Sequence, residues 1–257
     1  MPIYHARPGA QSYGHDIGII LMSCINPFPP GDVGNARSYA YPVLYQVAGC
    51  VTIDGLINQA DGSQATGVIA AAKALETEGV RAITSDCGYM LEYQDEVAAA
   101  VNVPVMMSSL LQLPFIASLL SPGQEIGIIC AHAGRLEGSL LTRAFPNPTR
   151  TLRIAGMEQQ PAFCQAILHE EGVLDSDKVE AETVTVAREL VSRYPAIGAL
   201  LLECSNLPLY SQAVQQALGL PVFDFLTMID YVQSAVVRRG YPDGPQAVTH
   251  CCVPNHG

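Results

Sequence analysis

Apolar residues fall along this chain in two patterns. Short unbroken apolar runs bounded by turn residues alternate with segments whose apolar positions recur at helical spacing, the mark of parallel sheet covered by helices. The runs predict strands over residues 17–23, 82–85, 103–107, 126–130, 197–202 and 221–225. A helix is predicted over about 62–78: Asp61 is placed to cap it, Gln64 stands three residues on, Ala65, Val68, Ile69, Ala72 and Leu75 share one face, and Gly79 ends it. A second runs over about 178–193, with Asp177 and Glu180 at capping-box spacing, a stripe of Val179, Thr183, Val186, Ala187 and Leu190, and Pro195 just beyond. The fold class is α/β.

The chain also repeats itself. Aligned on Cys87 and Cys204, each apolar run is followed by a Tyr six residues after the Cys (Tyr93, Tyr210), a Val ten after (Val97, Val214) and a Pro-Val pair seventeen and eighteen after (Pro104-Val105, Pro221-Val222). The opening runs repeat too, Asp16-Ile17-Gly18-Ile19-Ile20 being answered by Glu125-Ile126-Gly127-Ile128-Ile129. The sequence therefore reads as two related halves. Ligands of open parallel sheets bind beyond the carboxyl ends of the strands, where both Cys87 and Cys204 fall, so two facing halves would set these thiols on opposite walls of one cleft. A lone Cys most often packs as a small hydrophobe; a matched pair at equivalent strand ends points to chemistry.

Composition narrows the function. With 257 residues the chain is long enough for one to two domains of about 150 residues and for a substantial core. Charged residues make up only 14%, against about 25% in an average soluble domain, which points to extensive buried surface and leaves room for homo-oligomerisation. A net charge of -11 supplies no basic field for a nucleic acid backbone. The most apolar stretch, residues 97–120, is interrupted by Asn102, Pro104, Ser108, Ser109, Gln112 and Pro114, so it lacks the roughly 20 continuous apolar residues of a membrane span. Eight Cys without a C-x-x-C pair, and an apolar run over 17–22 too short for a signal peptide, lead to the expectation of reduced thiols in a cytoplasmic protein.

The segments Thr84-Ser85-Asp86-Cys87-Gly88-Tyr89 and Leu202-Glu203-Cys204-Ser205-Asn206-Leu207-Pro208 resemble the two cysteine motifs of the aspartate/glutamate/hydantoin racemase superfamily, and the likeness runs through nearly the whole chain. The resemblance implies two α/β lobes related by a pseudo-twofold axis, each a short, mainly parallel sheet flanked by helices, with the site in the cleft between them. It implies lobes of residues 1–110 with 222–257, and of 111–221. It also implies cofactor-independent chemistry, one Cys as thiolate removing an α-proton and the other delivering one from the opposite face. A thiol's ordinary pKa of about 8.5 permits that division if the two surroundings differ. No flavin, pyridoxal phosphate or metal motif stands in the sequence.

Stabilising the enediolate-like charge calls for oriented donors. After the first strand, Pro29-Pro30-Gly31-Asp32-Val33-Gly34-Asn35-Ala36-Arg37 offers glycine-freed backbone N–H groups with Asn35 and Arg37, or is simply a surface turn. In the second half His132, in Ala131-His132-Ala133-Gly134, is the counterpart candidate, its alternative being a structural role. Two positions depart from the superfamily pattern. Gly88-Tyr89 replaces Asn-Thr or Asn-Ser after the first Cys, and Ser205-Asn206 replaces Thr with His or Glu after the second, so carboxylate recognition differs here and Asn206 is neither acid nor base. Asp86 and Glu203 precede the two Cys; strand alternation turns them to the other face, as caps or supporting groups.

The leading expectation is a racemase or epimerase of a small amino acid, carboxylate or cyclic ureide. Cys87 and Cys204 are its bases, and Asn35, Arg37, Gly88, Tyr89, His132, Ser205 and Asn206 bind a small anionic or polar metabolite. The alternatives are a lyase driven by the same proton abstraction, as for dimethylsulfoniopropionate, a maleate-type isomerase using a thiol nucleophile, and a non-enzymatic binder. His250, Cys251, Cys252 and His256 include zinc-ligand types, but adjacent cysteines lack ligand spacing and are read as an exposed tail rather than a metal site. Cys24, Cys50, Cys130 and Cys164 are read as core or incidental thiols.

Overall fold

The computed structural model describes residues 3–56, 64–136 and 138–240. Its strands are β1 (Ile17–Met22), β2 (Val43–Ala48), β3 (Ala82–Ser85), β4 (Val105–Met106), β5 (Glu125–Cys130), β6 (Leu152–Gly156), β7 (Ile197–Leu202) and β8 (Val222–Phe223). The helices are α1 (Ala65–Glu78), α2 (Gln94–Ala100), α3 (Leu113–Leu119), α4 (Ala133–Leu136), α5 (Ser139–Ala144), α6 (Pro161–Phe163), α7 (Ser176–Arg193), α8 (Ser211–Leu218) and α9 (Phe225–Val236). All strand pairs are parallel, in two sheets of order β2-β1-β3-β4 and β6-β5-β7-β8. The α/β reading holds, and the second sheet repeats the first strand for strand.

The repeat in sequence is a repeat of register. Ile17 pairs with Ala82 as Ile126 pairs with Ala199. Ile83 donates its N–H to Pro104 O and Leu200 to Pro221 O, both at 2.9 Å. The prolines sit just before β4 and β8, where a missing N–H leaves no ladder bond unmade. The inner strands are the apolar runs themselves, with Ile17, Ile19, Ile20, Ile126, Ile128 and Ile129 fully buried.

The two strands that the apolar pattern did not predict, β2 and β6, are sheet edges. Their side chains are mostly half-buried or exposed, and β6 carries Arg153, which pairs with Glu125 of β5 at 2.7 Å. Mixed polarity suits an edge and hides it from a search for apolar runs. Two other expectations need correction. α7 begins at Ser176, because Asp175 and not Asp177 accepts the capping bond from Lys178 N. The strand expected over 221–225 stops at Phe223, since Asp224 opens α9 in a reciprocal capping box with Thr227. α1 has its helical face and its Gly79 stop, with φ of 86°, while the expected Asp61 cap lies outside the described residues.

α9 carries Phe225, Met228 and Ile229 onto Ile17, Ile19, Ala82 and Met106 of the first sheet. Burying each such side chain contributes about 1.5–3 kcal/mol. Its start is fixed by the buried Asp224, which also accepts from Ser211 Oγ at 2.5 Å. Asp224→Ala is expected to lower folding stability by about 1–2 kcal/mol, read as a reduced urea midpoint with an unchanged slope.

Candidate active site

A narrow cavity of about 330 Å³, part of it open to solvent, lies where the two halves meet. Its lining includes three pairs of positions equivalent in the repeat: Met22 with Ala131 at the ends of β1 and β5, Cys87 with Cys204, and Tyr89 with Asn206. Ser205, Ile53, Leu56, Ile167 and Leu168 complete the wall. Both thiols thus stand on one small cavity, each just beyond the carboxyl end of its strand. A roomier groove of about 880 Å³ between α3 and α9, walled by Phe115, Met228 and Tyr231 among others, carries neither a thiol nor a carboxylate.

Each Cys begins a hydrogen-bonded turn, closed by Met90 N on Cys87 O at 3.0 Å and by Leu207 N on Cys204 O at 3.1 Å. Cys87 is the N-cap of a 3-10 turn over Gly88–Tyr93, and the N–H of Tyr89 bonds to its sulfur, as the N–H of Asn206 does to the sulfur of Cys204. Helix-start N–H groups favour a thiolate. Burial opposes them and prevails: it pushes both thiols well above their ordinary pKa, Glu203 adding to the rise at each.

The carboxylates that precede the two Cys are fully buried supports. Asp86 accepts from Met22 N at 3.0 Å, and Glu203 from the backbone of Ala131, the repeat-equivalent position. Burial pushes both up to about 8. Asp32 lies in the loop after β1, 2% exposed, and burial pushes it up to about 7 although Gly34 N and Asn206 Nδ2 both donate to it at 2.7 Å. Three buried carboxyl groups therefore stand behind the two thiols, while the described lining of the cavity itself holds no charged side chain. Asp32 was missed from sequence, where only the donors of its loop were considered.

The predicted binding residues divide. Gly88, Tyr89, Ser205 and Asn206 are at the meeting of the halves. A Cβ on Gly88 would come within 1.7 Å of Glu203 Oε1, so only glycine fits. Ser205 Oγ donates a short bond to Asp86 O. Tyr89 OH donates to His132 O at 3.0 Å and accepts from His132 N at 2.7 Å. Asn35, Arg37 and the side chain of His132 are not brought to the cavity. Asn35 donates to Phe28 O at 2.6 Å and caps the turn Ala36–Ser38, Arg37 is exposed, and His132 Nδ1 accepts from Arg135 N at 3.3 Å. The loop glycines do not reach an anion either, because Gly31 N is bound to Ser38 Oγ and Gly34 N to Asp32.

Among the described residues no His/Cys/Asp/Glu group of three or more could hold a metal ion, and residues 250–256 lie outside them. No helix among the described residues is long and apolar enough to cross a membrane. Cys130 is buried, and Cys164 lies 3.6 Å from His169 Nε2.

Comparison with known proteins agrees with this architecture. The Asp/Glu/Hydantoin racemase family profile matches residues 36–229, and the chain belongs to that family. It is 31% identical over 228 residues to "Dimethylsulfoniopropionate lyase 5" of Emiliania huxleyi (strain CCMP1516), a match covering 85% of this chain and 45% of that protein. It is 32% identical over 232 residues to "Dimethylsulfoniopropionate lyase 7" of the same strain, covering 86% of this chain and 67% of that one. The chain thus spans under half of the first relative and about two thirds of the second. The allantoin racemase of Pseudomonas fluorescens shares the fold with a TM-score of 0.57 at 16% identity, covering 86% of this chain and 91% of that one.

Two outcomes follow from this geometry. Gly88→Ala is expected to destabilise the fold by about 1–3 kcal/mol, because its Cβ displaces the buried Glu203 carboxyl; thermal unfolding reads the loss. The raised carboxyls bind protons more tightly folded than unfolded. Folding therefore takes up protons between the ordinary carboxylate range and about 8, and stability falls as pH rises through that window. Asp86→Asn keeps an oxygen for Met22 N and removes one titration, so urea midpoints measured from pH 5 to 8 should fall less steeply than in the wild type.

Proposed function

We propose that this chain is a lyase that removes an α-proton from a small β-sulfonio carboxylate of the dimethylsulfoniopropionate type, releasing a neutral sulfide and an unsaturated carboxylate. The cavity carries the reading: two thiols between apolar walls, three buried carboxyl groups around them, and no cationic side chain among the described lining residues. Such a cavity favours a substrate that brings its own positive charge, and a sulfonium group does so. The lyase names of relatives 31–32% identical to this chain support the same choice. Elimination, an alternative on sequence grounds, therefore takes precedence over racemisation.

In this reading Cys87 as thiolate takes the α-proton. The C–H electron pair becomes the new carbon–carbon double bond, the bond from the β-carbon to sulfur breaks, and its electrons leave with sulfur as a neutral sulfide that needs no proton. Cys87 then passes its proton to water. Burial and acidic neighbours keep the thiols protonated in an empty cavity. A bound sulfonium stabilises a thiolate beside it and so lowers the thiol's pKa when substrate is present. Cys204, on the opposite wall, stays a thiol and donates to the negative charge that builds on the substrate carboxylate. Asn206 adds an amide hydrogen beyond the one given to Asp32. Gly88 allows the main chain to approach, while Tyr89 and Ser205 hold the two motifs against each other.

Incubation with dimethylsulfoniopropionate in deuterated water, followed by NMR, tests the reading. Dimethyl sulfide and acrylate should form, with kcat/KM lowered at least about 10²–10⁴-fold by Cys87→Ala. Deuterium entering the α-position of an amino acid or hydantoin with inversion, without elimination, would replace the lyase by a racemase.

A further inference from the structure

The repeat makes the two thiols equivalent by position, and one loop makes them unequal. Tyr89 and Asn206 hold the same place in the two halves, two residues after their Cys. Tyr89 sends its hydroxyl away, to the backbone of His132. Asn206 instead lies between Cys204 and the loop after β1: Cys204 Sγ is 3.5 Å from Asn206 Oδ1, and Asn206 Nδ2 is 2.7 Å from Asp32 Oδ2. That loop is pressed onto the second half. A Cβ on Gly31, whose φ is 103°, would meet the Cα of Leu209 at 2.9 Å, and Val33 N donates to Ser205 O at 3.4 Å.

An amide has an acceptor at one end and a donor at the other. Asp32, bound as well by Gly34 N, requires the donor end, so the oxygen faces sulfur. A sulfur facing a carbonyl oxygen is satisfied only while it keeps its proton. Among the described residues Cys87 has no such side-chain acceptor; the N–H groups of Tyr89 and Asn206 act alike at the two sulfurs, so the difference lies in the Asn206 oxygen.

We propose that Asp32 is a positioning residue which, by orienting the Asn206 amide, holds Cys204 as the proton-bearing thiol and so leaves Cys87 as the base. This rests on the reading of the two thiols as the reacting pair. Among the described residues the titratable groups facing Cys204 are Glu203, Asp32, Cys130, Cys87 and Tyr89, and those facing Asp32 are Asp86, Cys24, Tyr39, Tyr45 and Tyr210. Of these only Asp32 reaches Cys204 through an oriented hydrogen-bonding side chain.

The test is the pH dependence of iodoacetamide alkylation, followed at Cys204 and Cys87 separately by peptide mass spectrometry, without substrate. In Asp32→Asn the Asn206 amide is free to turn its NH2 group to sulfur. The Cys204 profile should then move to lower pH by about one unit, a tenfold faster reaction on its rising limb, with Cys87 unmoved. Asn206→Ala should also lower the Cys204 profile, and adding Asp32→Asn to it should change nothing more. Should Asp32→Asn fail to fold, as judged by circular dichroism, Asn206→Ala alone decides. An unmoved Cys204 profile, or equal shifts at both thiols, overturns the proposal. Because alkylation needs no turnover, a shifted Cys204 in a chain that does not cleave dimethylsulfoniopropionate would keep Asp32 in this role and discard the lyase.

Discussion

The carboxyl of Asp86 takes the N–H of Met22 at the end of β1, that of Glu203 lies against the backbone of Ala131 just beyond β5, and the site is hung between those two contacts. They fix where each Cys turn leaves its sheet. Cross-links between the halves then close the cavity: Ser205 Oγ on Asp86 O, Ser109 Oγ on Glu203 O, Tyr89 on the backbone of His132, and Gly88 against the Glu203 carboxyl. In a wall this tightly built, acidic groups lose water without gaining a cation. Their proton affinity rises, and so does that of the thiols beside them. The same burial therefore favours the protonated form of the carboxyls and of the thiols together.

Such a cavity reconciles membership of a family described by its racemases with relatives named as lyases. Both chemistries begin by taking a proton from carbon beside a carboxylate, and both profit from a thiol whose pKa depends on what is bound. They differ in what the electron pair does next. A β-substituent able to leave as a neutral molecule directs it to elimination, with no further acid required of the protein. The departures at Gly88-Tyr89 and Ser205-Asn206 fall where the two halves meet, with Tyr89, Ser205 and Asn206 on the cavity wall.

Duplication supplies two equivalent frameworks, and the differences between them lie in the loops. The loop after β1 crosses to the second half and brings Asp32 to Asn206; the shorter turn after β5 offers Tyr89 only backbone. A twofold-related pair of thiols thereby acquires two environments.

The inner strands, α1, α7 and the repeat were legible in the sequence because each has a local signal: an unbroken apolar run, a 3.6-residue stripe, a glycine stop, a recurring spacing about a Cys. The pairing of Cys87 with Cys204 was legible for the same reason. The edge strands β2 and β6 were not, since half-buried strands need no apolar run, and residues 221–225 look uniform although Asp224 ends the strand and starts the helix. Asn35, Arg37 and His132 carried the residue types of an anion site, yet two have their polar groups spent within their own turns and Arg37 is exposed. Asp32 carried no signal at all, because its partner lies 174 positions away. Sequence alone determined the inner strands, the two long helices α1 and α7, the duplication and the two thiols, all of which follow from short-range patterning. Only the tertiary structure decided which loop groups reach those thiols and how far burial moves their protons, since both depend on contacts between distant segments and on the exclusion of water.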